Sequence, residues 1–141
     1  MSDKILNPGD AGRSKPAQSY RDLLVWQKSM VLAKDIYKIT AVFPAEEKFG
    51  LISQMRRAAV SVPSNIAEGQ ARNTTGEFVQ FISHAEGSLA ELDTQLTLAC
   101  ELNFLPTEKA GLSLDAVAEL RRMLNGLRRS VAGQSPPARH S

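Results

Sequence analysis

Cysteine is almost absent: Cys100 is the only one in 141 residues, so no internal disulfide can form and a reducing compartment is the natural setting. Histidine is nearly as scarce, with His84 and His140 alone. Carboxylate-bridged metal pairs in helical bundles need Glu-x-x-His on two helices. Here Gln80, Leu89 and Thr94 stand three residues after Glu77, Glu86 and Glu91. No glycine-rich phosphate loop, Gly-x-Ser-x-Gly elbow or Cys-x-x-Cys pair occurs. No uncharged apolar run approaches the roughly 18 residues of a membrane span. The opening MSDKILNPGDAGRSKPAQ has no apolar stretch of signal-peptide length. These absences predict a cytoplasmic protein that is not an enzyme and holds no metal or cofactor. His84 reads as a packing or surface residue. Cys100, beside Leu96, Leu98 and Leu102, reads as a small buried hydrophobe.

What the chain does have is helical periodicity. Apolar residues make up 43% and charged residues 23%, the globular range, and the length suits one domain with a sizeable core. Residues 1–18 and 132–141 read as flexible tails around a domain spanning 19–131. A first helix is expected from Ser19–Asp22 to about Val42, and a second after Pro44, with Phe49, Ile52, Met55, Ala59, Val62 and Ile66 on its buried stripe. Pro63 falls inside the second helix, where it removes one hydrogen bond and crowds the Ala59 carbonyl. Either the helix bends there, or it breaks and Ser61 caps a new one; apolar spacing that stays in phase across the proline favours a bend. Thr74 and Glu77 have the spacing of a capping box and open a third helix. Its small residues Ala85, Gly87, Ser88 and Ala90 suggest close approach by a neighbour. A fourth helix starts at Pro106 or Thr107, where Gly111 and Gly126 suggest further close contacts. The fold class expected is all-α: an up-down-up-down antiparallel four-helix bundle with a proline-kinked second helix.

The first helix carries too many apolar sides. Leu23, Trp26, Met30, Ala33 and Tyr37 share one face, and Val25, Leu32, Ile36 and Ile39 share another about 130° away, at roughly 100° per residue. Leu24 and Val31 add a third patch. One stripe suffices for a helix in a solitary bundle. The surplus predicts self-association through Leu24, Val25, Val31, Leu32, Ile36 and Ile39; the competing interpretation is a broad internal core with a few exposed side chains.

Net charge is only +2, but beyond Glu119 the chain carries five arginines and no acid. Arg57, Arg72, Arg121, Arg122, Arg128 and Arg129 are candidate phosphate contacts for RNA or DNA; the plain alternative is a solvated face. Arg56 lies on the flank of the buried stripe. A charge there needs a partner, and Glu86 or Glu91 on the third helix is the expected one.

The segments YRDLLVWQKSMVLAKDIYKIT, QMRRAAVSVPSNIAEGQARNTTGEFVQFI, AEGSLAELDTQL and RMLNGL together resemble the four-helix-bundle proteins encoded within intervening sequences of bacterial 23S rRNA genes. That group is similar to the accessory variability protein of diversity-generating retroelements. The resemblance implies a homopentameric ring, with a nucleic-acid role in the retroelement branch. The stretch PTEKAGLSLDAVAEL departs from the charged opening that the family pattern has in the fourth helix. A nucleic-acid-associated accessory factor is the function expected, with a protein-interaction scaffold as the alternative.

Overall fold

The computed structural model describes residues 19–133. Among them are four helices and no strand: α1 (Leu24–Thr40), α2 (Leu51–Gln70), α3 (Thr75–Glu101) and α4 (Thr107–Ala132). Helix α1 packs on α2, α2 on α3, α3 on α4, and α4 back on α1. Cross-helix pairs give the directions. Arg56, early in α2, meets Thr40 at the end of α1, and Gly69, late in α2, lies against Phe78 and Phe81, early in α3. Late in α4, Arg128 pairs with Glu86, and an earlier Arg121 pairs with the later Asp93. Sequential helices therefore run antiparallel, in an all-α four-helix bundle. Of the tails expected at 1–18 and 132–141, residues 1–18 and 134–141 lie outside the described residues, and α4 continues through Ala132, one residue past the expected boundary at 131.

One core runs along the bundle axis. Ile36, Met55, Val62, Ile66, Ile82, Leu89, Leu92, Leu96, Val117, Leu120 and Leu124 are all fully buried within it. Each such side chain contributes roughly 1.5–3 kcal/mol of transfer free energy before the entropy of ordering is subtracted.

Two of the helix starts correct the sequence expectation. Ser19 and Asp22 form a reciprocal capping box, in which Ser19 Oγ accepts from the Arg21 N–H and Asp22 Oδ2 accepts from the Ser19 N–H. The box closes only a short 3₁₀ turn, Tyr20–Asp22; Leu23 is extended, and α1 starts at Leu24. After Pro44 a second 3₁₀ turn, Ala45–Glu47, intervenes, and Glu47 Oε1 accepts the Leu51 N–H at 3.1 Å to open α2. Phe49, expected on the buried stripe, therefore precedes the helix and is 88% exposed. Thr74 caps α3 as expected, accepting from the Glu77 N–H at 3.1 Å. Between α3 and α4, Asn103 takes the left-handed conformation at φ 64°, and the Phe104 N–H turns back to the Ala99 carbonyl at 2.9 Å.

Helix α2 is continuous through Pro63, so no second helix begins at Ser61. A polar bracket spans the proline. Asn65 Nδ2 donates to the Ser61 carbonyl at 2.8 Å and to Ser61 Oγ at 3.0 Å, and Ser61 Oγ is hydrogen-bonded to Ser88 Oγ on α3 at 2.6 Å. Of the small residues on α3, Ser88 and the buried Ala85 thus meet neighbours, whereas Gly87 faces open space. Gly111 and Gly126 likewise mark no close helix contact. The tight approach is at Gly69, where an added Cβ would lie 2.8 Å from Phe78 Cδ1 and 2.9 Å from Phe81 Cβ.

Candidate interaction surfaces

The six arginines expected to bind phosphate do not share one surface. Arg57 lies on α2 and Arg72 just after it, while the other four line α4, and α2 packs on α1 and α3. On α4, residues seven apart share a face, which sorts the arginines into two pairs. Arg121 and Arg128 turn toward α3, where Asp93 lies 3.9 Å from Arg121 and Glu86 holds Arg128. Arg122 and Arg129 are exposed, with no ion pair among the described residues. Arg72 rests its guanidinium over the Phe81 ring at 4.7 Å. Arg57 is exposed.

Arg56 finds its partners on α1 rather than α3. Its Nε donates to Thr40 Oγ1 at 2.9 Å, its Nη2 donates to the Tyr37 carbonyl at 3.2 Å, and its guanidinium lies over the Tyr37 ring at 4.5 Å. Thr40 is fully buried, and its hydroxyl donates to the Ile36 carbonyl at 2.7 Å, so both its capacities are used. The ion pair expected with Glu86 or Glu91 is replaced by these neutral acceptors. Glu86 is taken by Arg128, and Glu91 is exposed. The physical reason is rotational: Arg56 emerges on the α1 side of α2, where oxygens at the end of α1 are within reach.

The apolar sides of α1 are also reassigned. Val25, Leu32 and Ile36, expected at an interface with another copy, are buried in this bundle's own core, and Ile39 packs against it. Leu24 and Val31 do remain outside, at 56% and 54% exposed. The other face is divided: Ala33 is buried and Leu23 packs against the core, while Met30 and Tyr37 are exposed and Trp26 is half-buried. Between α1 and α2 the last three side chains, with Val60 and Pro63 opposite, line an apolar groove of about 560 Å³. A second groove of about 650 Å³ continues toward the start of α2, shares Tyr37 and Val60 with the first, and adds Lys48, Phe49, Arg56 and Arg57. Every charged side chain lining either groove is a cation.

Chemistry at a single centre is not in view. Among the described residues, no three His, Cys, Asp or Glu side chains come together in a metal-binding group. Cys100 is half-buried, its Sγ 3.8 Å from Thr107 Oγ1. No helix among the described residues is long and apolar enough to cross a membrane.

Residues 21–126 match the sequence profile of a family described as the 23S rRNA-intervening sequence protein. The chain belongs to that family. Its fold is similar to that of a protein of unknown function from Bacteroides thetaiotaomicron, assigned to the S23 ribosomal protein family and determined by crystallography. The likeness has a TM-score of 0.68 at 20% identity and covers 74% of this chain and 98% of the other. At that identity the resemblance concerns the fold. No curated protein matches the chain. Neither the family nor the structural neighbour indicates an enzyme.

The groove between α1 and α2 is the feature that periodicity alone did not mark. A signal for it is present in the sequence. Lys34 and Lys38 flank the Trp26, Met30 and Tyr37 stripe, and lysines seldom border a face that is closed to water on both sides.

Proposed function

We propose that this chain is a non-enzymatic, self-associating bundle of the cytoplasm that serves as an accessory factor to nucleic acid. The observation that carries self-association is the uncovered apolar groove between α1 and α2, with Trp26, Met30 and Tyr37 at its rim. A second copy supplies the apolar surface that the groove lacks. The exposed Leu24 and Val31 add to the same need on the other side of α1. Two different patches on one helix suit a heterologous contact that closes into a ring, and the family resemblance supports five copies. Sedimentation equilibrium at micromolar concentration tests this. The expected result is a discrete multiple of the 15.4 kDa chain, reduced toward the single chain by Met30→Glu with Tyr37→Glu. A single-copy species across that range overturns it.

The nucleic-acid role draws support from the exposed Arg122 and Arg129 on α4 and from membership of a family named for 23S rRNA intervening sequences. Contacts of this kind neutralise phosphates and read little sequence. Binding to a labelled RNA should therefore weaken steeply as salt rises from about 50 to 200 mM. Arg122→Ala with Arg129→Ala should weaken it further at every salt concentration. Affinity indifferent to both changes removes the proposal. One observation favours a protein-interaction scaffold instead: Arg121 and Arg128 already have carboxylate partners, which reduces the field that α4 can offer a polyanion. Oligomers that bind no RNA at low salt would select that alternative.

A further inference from the structure

We propose that the second groove, where α2 begins, is a binding site for single-stranded nucleic acid, with a base stacked on Phe49 and flanking phosphates held by Lys48 and Arg57. The inference rests on the nucleic-acid reading above and deepens it, since it adds to the arginines of α4 a single-strand site on the α1–α2 side of the bundle.

The first observation is Phe49 itself. An aromatic ring that is 88% exposed sits on the short link between a 3₁₀ turn and α2, a few residues from a core of fully buried side chains. Lys48 Nζ sits over one side of the ring, 5.5 Å from its centroid, and most of the ring is open to solvent. The second is charge of one sign. Lys48, Arg56 and Arg57 line the groove, and no carboxylate does. The third is order. Arg56 is tied to Thr40 Oγ1 and to the Tyr37 carbonyl and ring, so one cation is fixed in place before any ligand arrives. These hydrogen-bond partners are neutral, so the positive charge stays available to an anion.

An exposed ring among cations is how sequence-tolerant single-strand sites work: bases stack on aromatic faces while the backbone follows the positive groove. The volume, about 650 Å³, lies within the range that holds a drug-sized group. A duplex keeps its bases stacked on one another and presents none to Phe49. A second copy docking symmetrically would set Lys48, Arg56 and Arg57 against their own images. An acidic peptide would satisfy the cations and leave the ring without a flat partner. The single strand is the occupant that uses both features.

The test is fluorescence anisotropy on the full chain with a labelled oligothymidylate, a duplex of the same length, and polyglutamate as competitor. Phe49→Ala should weaken single-strand binding roughly tenfold and Phe49→Trp should preserve it, with duplex binding unchanged by either. Arg57→Ala should weaken the single strand and flatten its salt dependence by about 0.7 in the log–log slope. Because Phe49 lies outside the helices and is exposed, circular dichroism should show the alanine variant folded. Equal single-strand affinity for the parent and Phe49→Ala, with loss only in Arg122→Ala plus Arg129→Ala, overturns the groove and leaves the broader reading standing. Polyglutamate displacing the strand equally from the parent and Phe49→Ala also overturns it. A parent chain that binds neither strand nor duplex removes both.

Discussion

At the scale of single residues, two contacts carry more than their size suggests. Thr40 is buried at the end of α1 and gives its hydroxyl proton to Ile36 while accepting from Arg56. Thr40→Val keeps the shape and deletes that acceptor. A double-mutant cycle with Arg56→Ala, read by urea denaturation, should return a coupling of about 1.5–3 kcal/mol, the usual net worth of a bond from a charged donor. Gly69 is the other. An alanine there would meet Phe81 Cβ at 2.9 Å, an atom that moves only with its backbone. Gly69→Ala should cost about 1–3 kcal/mol. By contrast, Gly87→Ala enters open space on the same pair of helices and should stabilise by about 0.5–1 kcal/mol. Opposite signs from one chemical change, measured in one denaturation series, would separate close packing from intrinsic helix propensity.

At the scale of elements, α3 and α4 were legible from the sequence and α1 was not, for a physical reason. The Phe78, Ile82, Ala85, Leu89, Leu92, Leu96 series on α3 is one stripe, so only one rotation buries it, and most of it is fully enclosed. Helix α1 carries two stripes of equal regularity, and spacing cannot rank them. Its neighbours decide, and they close over Val25, Leu32 and Ile36. The start of α2 was hidden differently. Phe49 keeps the right interval to Ile52, but periodicity is blind to a preceding 3₁₀ turn or to Glu47 capping Leu51. That misplacement concealed the one aromatic best placed to meet a ligand. Pro63 was legible in part, since apolar phase predicted continuity and the helix is continuous. The bracket from Asn65 to Ser61 should matter to it. Asn65→Ala should lower stability by about 1 kcal/mol in the parent and by a similar amount beside Pro63→Ala, whose restored N–H would donate to Ala59 rather than to Ser61, which thermal unfolding of the four variants would check.

At the scale of the whole molecule, the two proposed associations depend on different physics and should respond oppositely to salt. A contact between copies through the Trp26, Met30 and Tyr37 groove buries apolar surface, so raising ionic strength should leave the oligomer intact or tighten it. Binding of a strand along Lys48 and Arg57 releases counterions and should weaken. Sedimentation and anisotropy on one sample, titrated with salt, should show the strand leaving while the assembly persists. If both dissociate together, the copies are held by charge rather than by the groove.

The paired bridges between α3 and α4 have a further consequence. Glu86 and Asp93 are spaced as Arg128 and Arg121 are, so the two links work like adjacent teeth on facing racks. Sliding α4 by one turn would disengage both at once and set each guanidinium beside a residue with no acid to offer. Such a pair adds little to the depth of the native well. It does discriminate against near-miss alignments that the evenly greasy seam beneath would tolerate.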